Sequence, residues 1–156
     1  MLIWGKGMKT KIVKKYVDNI AGFPIILSNV EFVFVRSEWV PKINYQLLDR
    51  QVLKQLVSIQ GRLTGAHIKF IKRYFNMTLK EFAQRFCVSH VAVIKWEKKL
   101  NKPTDMAWAI EKDVRLFIQN RISSKAKAFA DVYALLEQVP TGQASSICID
   151  RLKVAA

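Results

Sequence analysis

The chain has 156 residues, of which 26 are Lys or Arg and 12 are Asp or Glu, so its formal net charge is +14. Its hydrophobic fraction of 51% is typical of a folded domain and excludes a largely disordered chain. This length provides for one hydrophobic core, or a core with a small satellite, and excludes a large multidomain enzyme.

The N-terminal part is predicted to contain β structure. β-branched and aromatic side chains dominate residues 16–43, and their alternation predicts short strands at about 24–28 and 30–36. Met8 is an equally plausible start of translation, in which case residues 1–7 form an upstream extension without a structural role.

Helices are predicted over most of the remaining chain, because apolar residues recur at helical spacing between cap signals. The predicted helices cover about residues 45–58, 65–75, 79–86, 90–100, 104–122 and 126–138. Their predicted N-caps are Asn44, Thr64, Thr78 and Ser89, with Thr104 or Asp105 starting the fifth helix. Thr78 and Glu81 are spaced as a capping box, and Gly61 is predicted to end the first helix. Residues 146–150 are predicted to form one short strand, so the fold class is α+β and mainly α.

The positive charge is concentrated in the middle of the chain. Residues 61–102 carry ten basic and two acidic side chains, a net charge of +8, whereas residues 1–60 carry +5 and residues 103–156 carry +1. Basic density of this kind on a folded segment predicts a polyanion partner, because lysine and arginine neutralise phosphates and release counterions. The alternative is a solvated face that keeps the protein soluble.

Cysteine, histidine and apolar content indicate a reducing compartment without a structural metal. Cys87 and Cys148 each stand among apolar neighbours, which favours buried free thiols over a disulfide. His67 and His90 match no usual zinc spacing and no CxxC pair is present, so neither a metal nor a cofactor is expected. The longest uncharged apolar stretch, residues 20–27, is too short to span a membrane, and the basic N-terminus lacks the features of a secretory signal. We therefore expect a cytoplasmic protein.

The third and fourth predicted helices form a two-helix motif with a short turn. The turn consists of Cys87 and Val88 followed by the Ser89 cap, an arrangement that is typical of a helix-turn-helix. A small residue, Ala83, stands where the two helices must approach closely. The side chains interpreted as core are Phe86, Val88, Val93 and Trp96, and those on the outward side are His90, Val91, Ile94 and Lys95.

A resemblance to a known family is carried by Phe82-Ala83-Gln84-Arg85-Phe86-Cys87-Val88-Ser89-His90-Val91-Ala92-Val93-Ile94-Lys95-Trp96-Glu97. This segment resembles the Xre/Cro-type (lambda-repressor-like) family, antitoxin-type regulators in particular, and the likeness extends over about residues 63–120. Residues 16–56 are similar to the β-containing N-terminal part of some antitoxin-like regulators. In the family the position of Cys87 is usually glycine, because the backbone there often has a positive φ. Zinc-bearing antitoxins carry CxxC pairs, which this chain lacks.

The resemblance implies a domain organisation. It places an N-terminal β-containing region with one helix at residues 1–60, a lambda-repressor-like helix-turn-helix domain at residues 61–122, and a C-terminal helix and tail at residues 123–156.

The resemblance also implies residue roles in DNA binding. His90, Val91 and Lys95 match the family's positions that contact bases: lysine can donate to guanine, histidine can donate or accept at a base edge, and valine can contact a thymine methyl. The positions that match phosphate contacts are Lys80, Ser89, Lys98, Lys99, Asn101 and Lys102. Lys72 and Glu97 match an internal ion pair that orients the recognition helix. His67, in contrast, is interpreted as an ordinary surface residue.

These expectations describe a sequence-specific DNA-binding transcriptional regulator rather than an enzyme. The resemblance implies an antitoxin-like autorepressor that binds a palindromic operator on double-stranded DNA as a homodimer, and a cognate toxin is a further candidate partner. The basic side chains of residues 1–60 either extend the DNA contact or meet an acidic protein partner.

Two alternatives remain open. A small basic ribonuclease toxin would also be short, basic and mixed α/β, and it would need a cluster of titratable side chains in a cleft. The other alternative is an interaction module whose N-terminal strands neutralise a partner protein, with DNA binding secondary.

Overall fold

The computed structural model describes residues 7–150, so most of the predicted extension at residues 1–7 and the last residues of the predicted segment 123–156 lie outside the described part. Within that part the fold is α+β, with six helices and a four-stranded sheet. The strands are β1 (Thr10–Asp18), β2 (Ile25–Val35), β3 (Glu38–Pro41) and β4 (Ile147–Asp150). The helices are α1 (Tyr45–Ser58), α2 (Gly65–Tyr74), α3 (Leu79–Arg85), α4 (His90–Lys98), α5 (Trp108–Ile122) and α6 (Ala126–Leu135).

Strand β2 is the centre of the sheet. It pairs antiparallel with β1 along one edge, from Thr10 opposite Val33 to Asp18 opposite Ile25. The other edge of β2 is shared, because β4 pairs parallel with its first residues and β3 pairs antiparallel with its last ones. The predicted strand at residues 146–150 is therefore confirmed, and it joins the C-terminal segment to the N-terminal sheet.

The two strands predicted at 24–28 and 30–36 are one strand in the structure. Asn29, which separates them in the prediction, has a positive φ of 54° but lies within β2. The alternation of buried side chains shifts by one position there: Ile25 and Leu27 are buried before it, and Val30 and Phe32 after it. Asn29 therefore changes the phase of the strand without ending it.

The side-chain caps predicted for the first four helices are confirmed. Asn44 accepts from the backbone N–H groups of Gln46 and Leu47 at 3.1 and 3.3 Å. Thr64, Thr78 and Ser89 each accept from the backbone N–H three residues later, at 3.1 to 3.3 Å. These bonds satisfy N–H groups that have no partner in the first turn of a helix.

Helix α1 covers the predicted residues 45–58, and Gly61, with a φ of 88°, lies in the connection that follows it. The predicted start of the fifth helix is wrong. Helix α5 begins at Trp108 rather than at Thr104 or Asp105. Asp105 has a φ of 63°, which is incompatible with a right-handed helix, so the chain stays non-helical until Ala107.

One hydrophobic core joins the three predicted segments. It is formed by residues of the sheet, of α1 to α5 and of β4, including Leu27, Val52, Phe70, Phe82, Val93, Val114 and Ile149. A buried ion pair on α5 strengthens the connection: the Arg115 guanidinium lies 2.8 Å from a Glu111 carboxylate oxygen. Arg115 also donates to the carbonyls of Ile59 and Gly61 at 2.9 and 2.6 Å, which fastens α5 to the chain that follows α1.

The prediction of buried thiols is wrong, because both cysteines are exposed, although they are free as expected. Cys148 is exposed because it alternates on β4 with Ile147 and Ile149, whose side chains face the core. Cys87 lies in the turn between α3 and α4, and its positive φ of 56° is not a right-handed helical conformation.

Neither a membrane-spanning helix nor a metal cluster occurs between residues 7 and 150. The helices there are too short or too polar to cross a bilayer. In the same range the acidic, histidine and cysteine side chains form no group of three or more that would suit a metal ion.

Candidate nucleic-acid interface

The helices α3 and α4 are joined by residues 86–89 in a tight connection. The backbone N–H of Val88 donates to the carbonyl of Ala83 at 3.0 Å, and Ala83 is only 4% exposed. Cys87 adopts the positive φ that the resemblance associates with this position. The small side chain of Ala83 lets the turn pack directly against α3.

Helix α4 has a buried side and an exposed side. Val93 and Trp96 belong to the core, with exposed fractions of 0% and 8%. His90, Val91 and Lys95 are exposed, as their helical phase predicts, and Val91 is 48% exposed although it is apolar. The three side chains expected to contact bases are thus accessible from solvent on one helix.

The residues expected to contact phosphate are exposed as well. They are Lys80 on α3, Ser89 and Lys98 on α4, and Lys99, Asn101 and Lys102 in the connection to α5. The Ser89 hydroxyl accepts from Ala92 N–H, which leaves its own proton free to be donated. Lys99 is paired with Asp105, Nζ to Oδ2 at 3.3 Å. Across residues 7–150 no carboxylate forms an ion pair with Lys80, Lys95, Lys98 or Lys102.

Helix α4 is held in place by α2. Lys72 Nζ lies 2.5 Å from Glu97 Oε1, and both side chains are largely buried. This is the pair that the resemblance implied. Gly65, at the first position of α2, packs so closely on α4 that an added Cβ would collide with the carbonyl oxygen of Trp96. Gly65 N–H also donates to the Lys102 carbonyl at 3.3 Å.

Gly65 is a residue that sequence reasoning missed. The only local sign that Gly65 has a special role is its position directly after the Thr64 cap, because glycine is a poor helix former and is unexpected there. The contact with Trp96 explains it, because only a residue without Cβ lets the two backbones approach this closely.

His67 is buried, so its interpretation as an ordinary surface residue is wrong. It is 5% exposed, and its Nδ1 accepts from the backbone N–H of Thr64 at 3.1 Å while Thr64 Oγ1 accepts from His67 N–H at 3.3 Å. This reciprocal pair is a capping box with histidine in the place usually held by Glu or Gln. Burial, and secondarily the charge of Arg115, lower the pKa of His67 from 6.5 to about 4. The imidazole is therefore neutral at physiological pH.

His67 lines a cleft between the start of α2 and the segments that lead into β2 and β4. The cleft is bounded by Phe23, Pro24, Thr64, Asn101 and residues 143–147, and His67 is the one titratable side chain in this lining. His90, by contrast, lies on the exposed side of α4. A neutral histidine that already serves as a helix cap has a structural role here.

Comparison of the chain with protein-family models, with curated proteins and with solved structures finds no match.

Proposed function

We propose that the chain is a sequence-specific DNA-binding transcriptional regulator in which α3, the connecting turn and α4 act as a helix-turn-helix of the lambda-repressor-like type. One observation carries the proposal. Helix α4 exposes His90, Val91 and Lys95 on one side, while Val93 and Trp96 anchor its other side in the core. Lys98 and Lys102 follow on the exposed surface and form no ion pair with a described carboxylate.

The exposed side of α4 suits a major groove chemically. Lys95 can donate to the O6 and N7 acceptors of guanine, and Val91 offers an apolar surface to a thymine methyl. His90 can donate or accept at a base edge, because its ring nitrogens do both in the neutral form. The Lys72–Glu97 pair and the Gly65 contact hold α4 against α2, so that these side chains are presented by a rigid element.

The surrounding lysines and Ser89 supply phosphate contacts, which position the domain without specifying sequence. Lys80 flanks α4 on one side, and Lys98, Lys99 and Lys102 follow its exposed end. The exposed pair between Lys99 and Asp105 is weak, so a DNA phosphate can replace the carboxylate.

The ribonuclease alternative has less support. Cleavage of RNA by general acid and base catalysis needs a base for the attacking hydroxyl and an acid for the leaving oxygen, so two titratable groups must lie close together. The cleft that holds His67 offers no second one in its lining, and His67 Nδ1 is occupied by Thr64. Incubation of the purified chain with RNA remains the test of this alternative.

The salt dependence of duplex binding tests the phosphate contacts. Replacing both Lys99 and Lys102 with Ala should reduce the slope of log K against log salt by about 2, since each phosphate contact contributes roughly 0.9. The matched control replaces Lys125 and Lys127, two exposed lysines near the start of α6, with Ala, so that both double variants lose the same charge. Equal slopes for the two double variants would remove Lys99 and Lys102 from the interface.

We further propose that the regulator is an antitoxin-like autorepressor that binds as a dimer. One module of this size covers little DNA, so two copies on half-sites about one helical turn apart are the expected arrangement. Nuclease footprinting on the DNA upstream of its own gene should show a symmetric protected region. Protection of a single half-site would contradict the dimer.

A cognate toxin should co-purify with the chain when both are expressed together, and its absence would restrict the function to DNA binding.

A further inference from the structure

The end of the sheet near the β2–β3 turn carries a basic and aromatic surface apart from α4. We call it the hairpin face, and it consists of Lys9, Lys11, Phe32, Phe34 and Trp39. The strand register brings these residues together: Lys11 lies opposite Phe32 across β1 and β2, and Phe34 lies opposite Trp39 across β2 and β3. The Phe34 N–H donates to the Lys9 carbonyl at 3.0 Å, which places Lys9 beside Phe34.

Two of the rings on the hairpin face are open to solvent. Phe34 and Trp39 are each 38% exposed, and their ring centroids lie 5.2 Å apart. Phe32, one step closer to the helices, is 9% exposed and belongs to the core. The hairpin face thus begins where the core ends, and it presents two adjacent aromatic rings that are partly open to solvent.

Lysines lie against these rings. Lys11 Nζ is 4.4 Å from the centroid of the Trp39 ring, and Lys9 Nζ is 6.0 Å from that of Phe34. Both ammonium groups are within the range of a cation–π contact, which is weak at an exposed site. A ligand ring can therefore displace the lysines from the aromatic faces while the ammonium groups stay beside it.

Charge is segregated between the two sides of this part of the sheet. Glu31 and Glu38 are direct neighbours of Phe32 and Trp39 along their strands, so their side chains point to the opposite side.

Strand β2 reaches β3 through a turn of only Arg36 and Ser37, which have positive φ values of 51° and 66°. Such turns usually contain Asn-Gly, because other residues are strained at positive φ. This chain instead has an arginine at the tip, which adds a cation next to the hairpin face.

We propose that the hairpin face is a second nucleic-acid site, one that binds single-stranded nucleic acid. Exposed aromatic rings stack on bases, and lysines beside them pair with the phosphates of the same strand. Bases in a duplex have both faces covered by their neighbours, so the rings select a single strand. The site lies on the sheet and uses no residue of α3 or α4, so it goes beyond the proposed function and does not depend on it.

Binding of a fluorescein-labelled deoxythymidine 12-mer to the intact chain, followed by anisotropy at low salt, tests the proposal. Trp39→Leu should weaken binding by about tenfold or more, because it removes a stacking ring. Trp39→Phe, which keeps a ring, should retain most of the affinity. Circular dichroism of both variants verifies that the sheet is intact.

The charge contribution has a matched control on the same strand. Lys11→Ala should weaken binding severalfold, whereas Lys15→Ala should have a smaller effect. Lys15 lies opposite Ser28, whose neighbour Leu27 faces the core, so the phase change at Asn29 puts Lys15 on the opposite side of the sheet from Lys11. Lys95→Ala should leave binding of the 12-mer unchanged, which separates this site from α4. The proposal is overturned if the 12-mer does not bind, if Trp39→Leu binds it as tightly as the unmodified chain, or if Lys15→Ala costs as much as Lys11→Ala. Failure of duplex binding with retained 12-mer binding would contradict only the proposed function.

Discussion

Acid should destabilise this protein through His67. The imidazole is buried and its Nδ1 accepts a backbone hydrogen bond from Thr64, an arrangement that the protonated ring cannot keep. The positive charge of Arg115 also disfavours protonation, and the pKa of His67 is lowered from 6.5 to about 4. The folded state therefore favours the neutral form of His67.

The size and sign of the effect follow from linkage. Below pH 6.5 the unfolded chain binds a proton at His67 that the folded chain does not, so the free energy of unfolding falls as the pH falls. At about 1.4 kcal/mol for each pKa unit, the loss between pH 7 and pH 4 is about 3 kcal/mol. Above pH 6.5 His67 contributes no pH dependence, and below its folded pKa the loss levels off.

The measurement is urea unfolding, followed by circular dichroism between pH 4 and pH 7.5, for the chain and for His67→Gln. Glutamine is a usual residue at this position of a capping box and can accept from Thr64, but it does not titrate. The variant also loses the ring contact between His67 and Phe23, which changes the free energy of unfolding by the same amount at all pH values. The pH-dependent loss should be about 3 kcal/mol smaller in His67→Gln. Equal pH profiles for the two proteins would refute the reasoning.

Three further variants test the packing that supports α4 and the core by chemical denaturation. Gly65→Ala should lower the free energy of unfolding by about 1–3 kcal/mol, because the new methyl collides with a backbone carbonyl of α4 that cannot rotate away; unchanged stability would show that α2 and α4 can separate at no cost. Glu111→Gln should lower the free energy of unfolding by about 3–5 kcal/mol, since it leaves the buried Arg115 charge without its carboxylate partner. A change near zero would mean that the carbonyls of Ile59 and Gly61 are enough to stabilise the guanidinium. Cys87→Gly should stabilise the chain by about 0.5–1 kcal/mol by relieving a positive φ, whereas Cys87→Ala should not, and equal effects would exclude backbone strain as the cause.

The helices and their side-chain caps were predictable because their signals are local. A Ser, Thr or Asn before an apolar-periodic segment meets its N–H partners within three residues, whatever the rest of the chain does. The start of α5 was not predictable in this way, because Thr104 and Asp105 are also preferred N-cap residues. Their role in a non-helical connection depends on the positive φ of Asp105, which tertiary packing determines.

Strand β1 and the buried ion pair were missed for a related reason. Lys11, Lys14 and Lys15 interrupt the alternation of apolar residues on β1, as is common on an edge strand, where lysine discourages pairing with other chains. Glu111 and Arg115 have the spacing of an ordinary surface pair on a helix. Only the three-dimensional fold places them in the core.

For the candidate interface, the sequence was sufficient to place the exposed and buried sides of α4, since helical phase alone separates Lys95 from Val93 and Trp96. It was not sufficient to identify what orients the helix. The contact between Gly65 and Trp96 joins residues of two helices and has no periodic signal.

The central claim is that α4 recognises a DNA sequence, and selection from a random duplex library tests it most directly. The intact chain and Lys95→Ala are each used to enrich bound duplexes at physiological salt. We predict a defined consensus for the intact chain and a loss of preference at one position for Lys95→Ala, with a cost of about 1–3 kcal/mol at that position. No enriched sequence for the intact chain, or the same consensus for both proteins, would contradict the assignment.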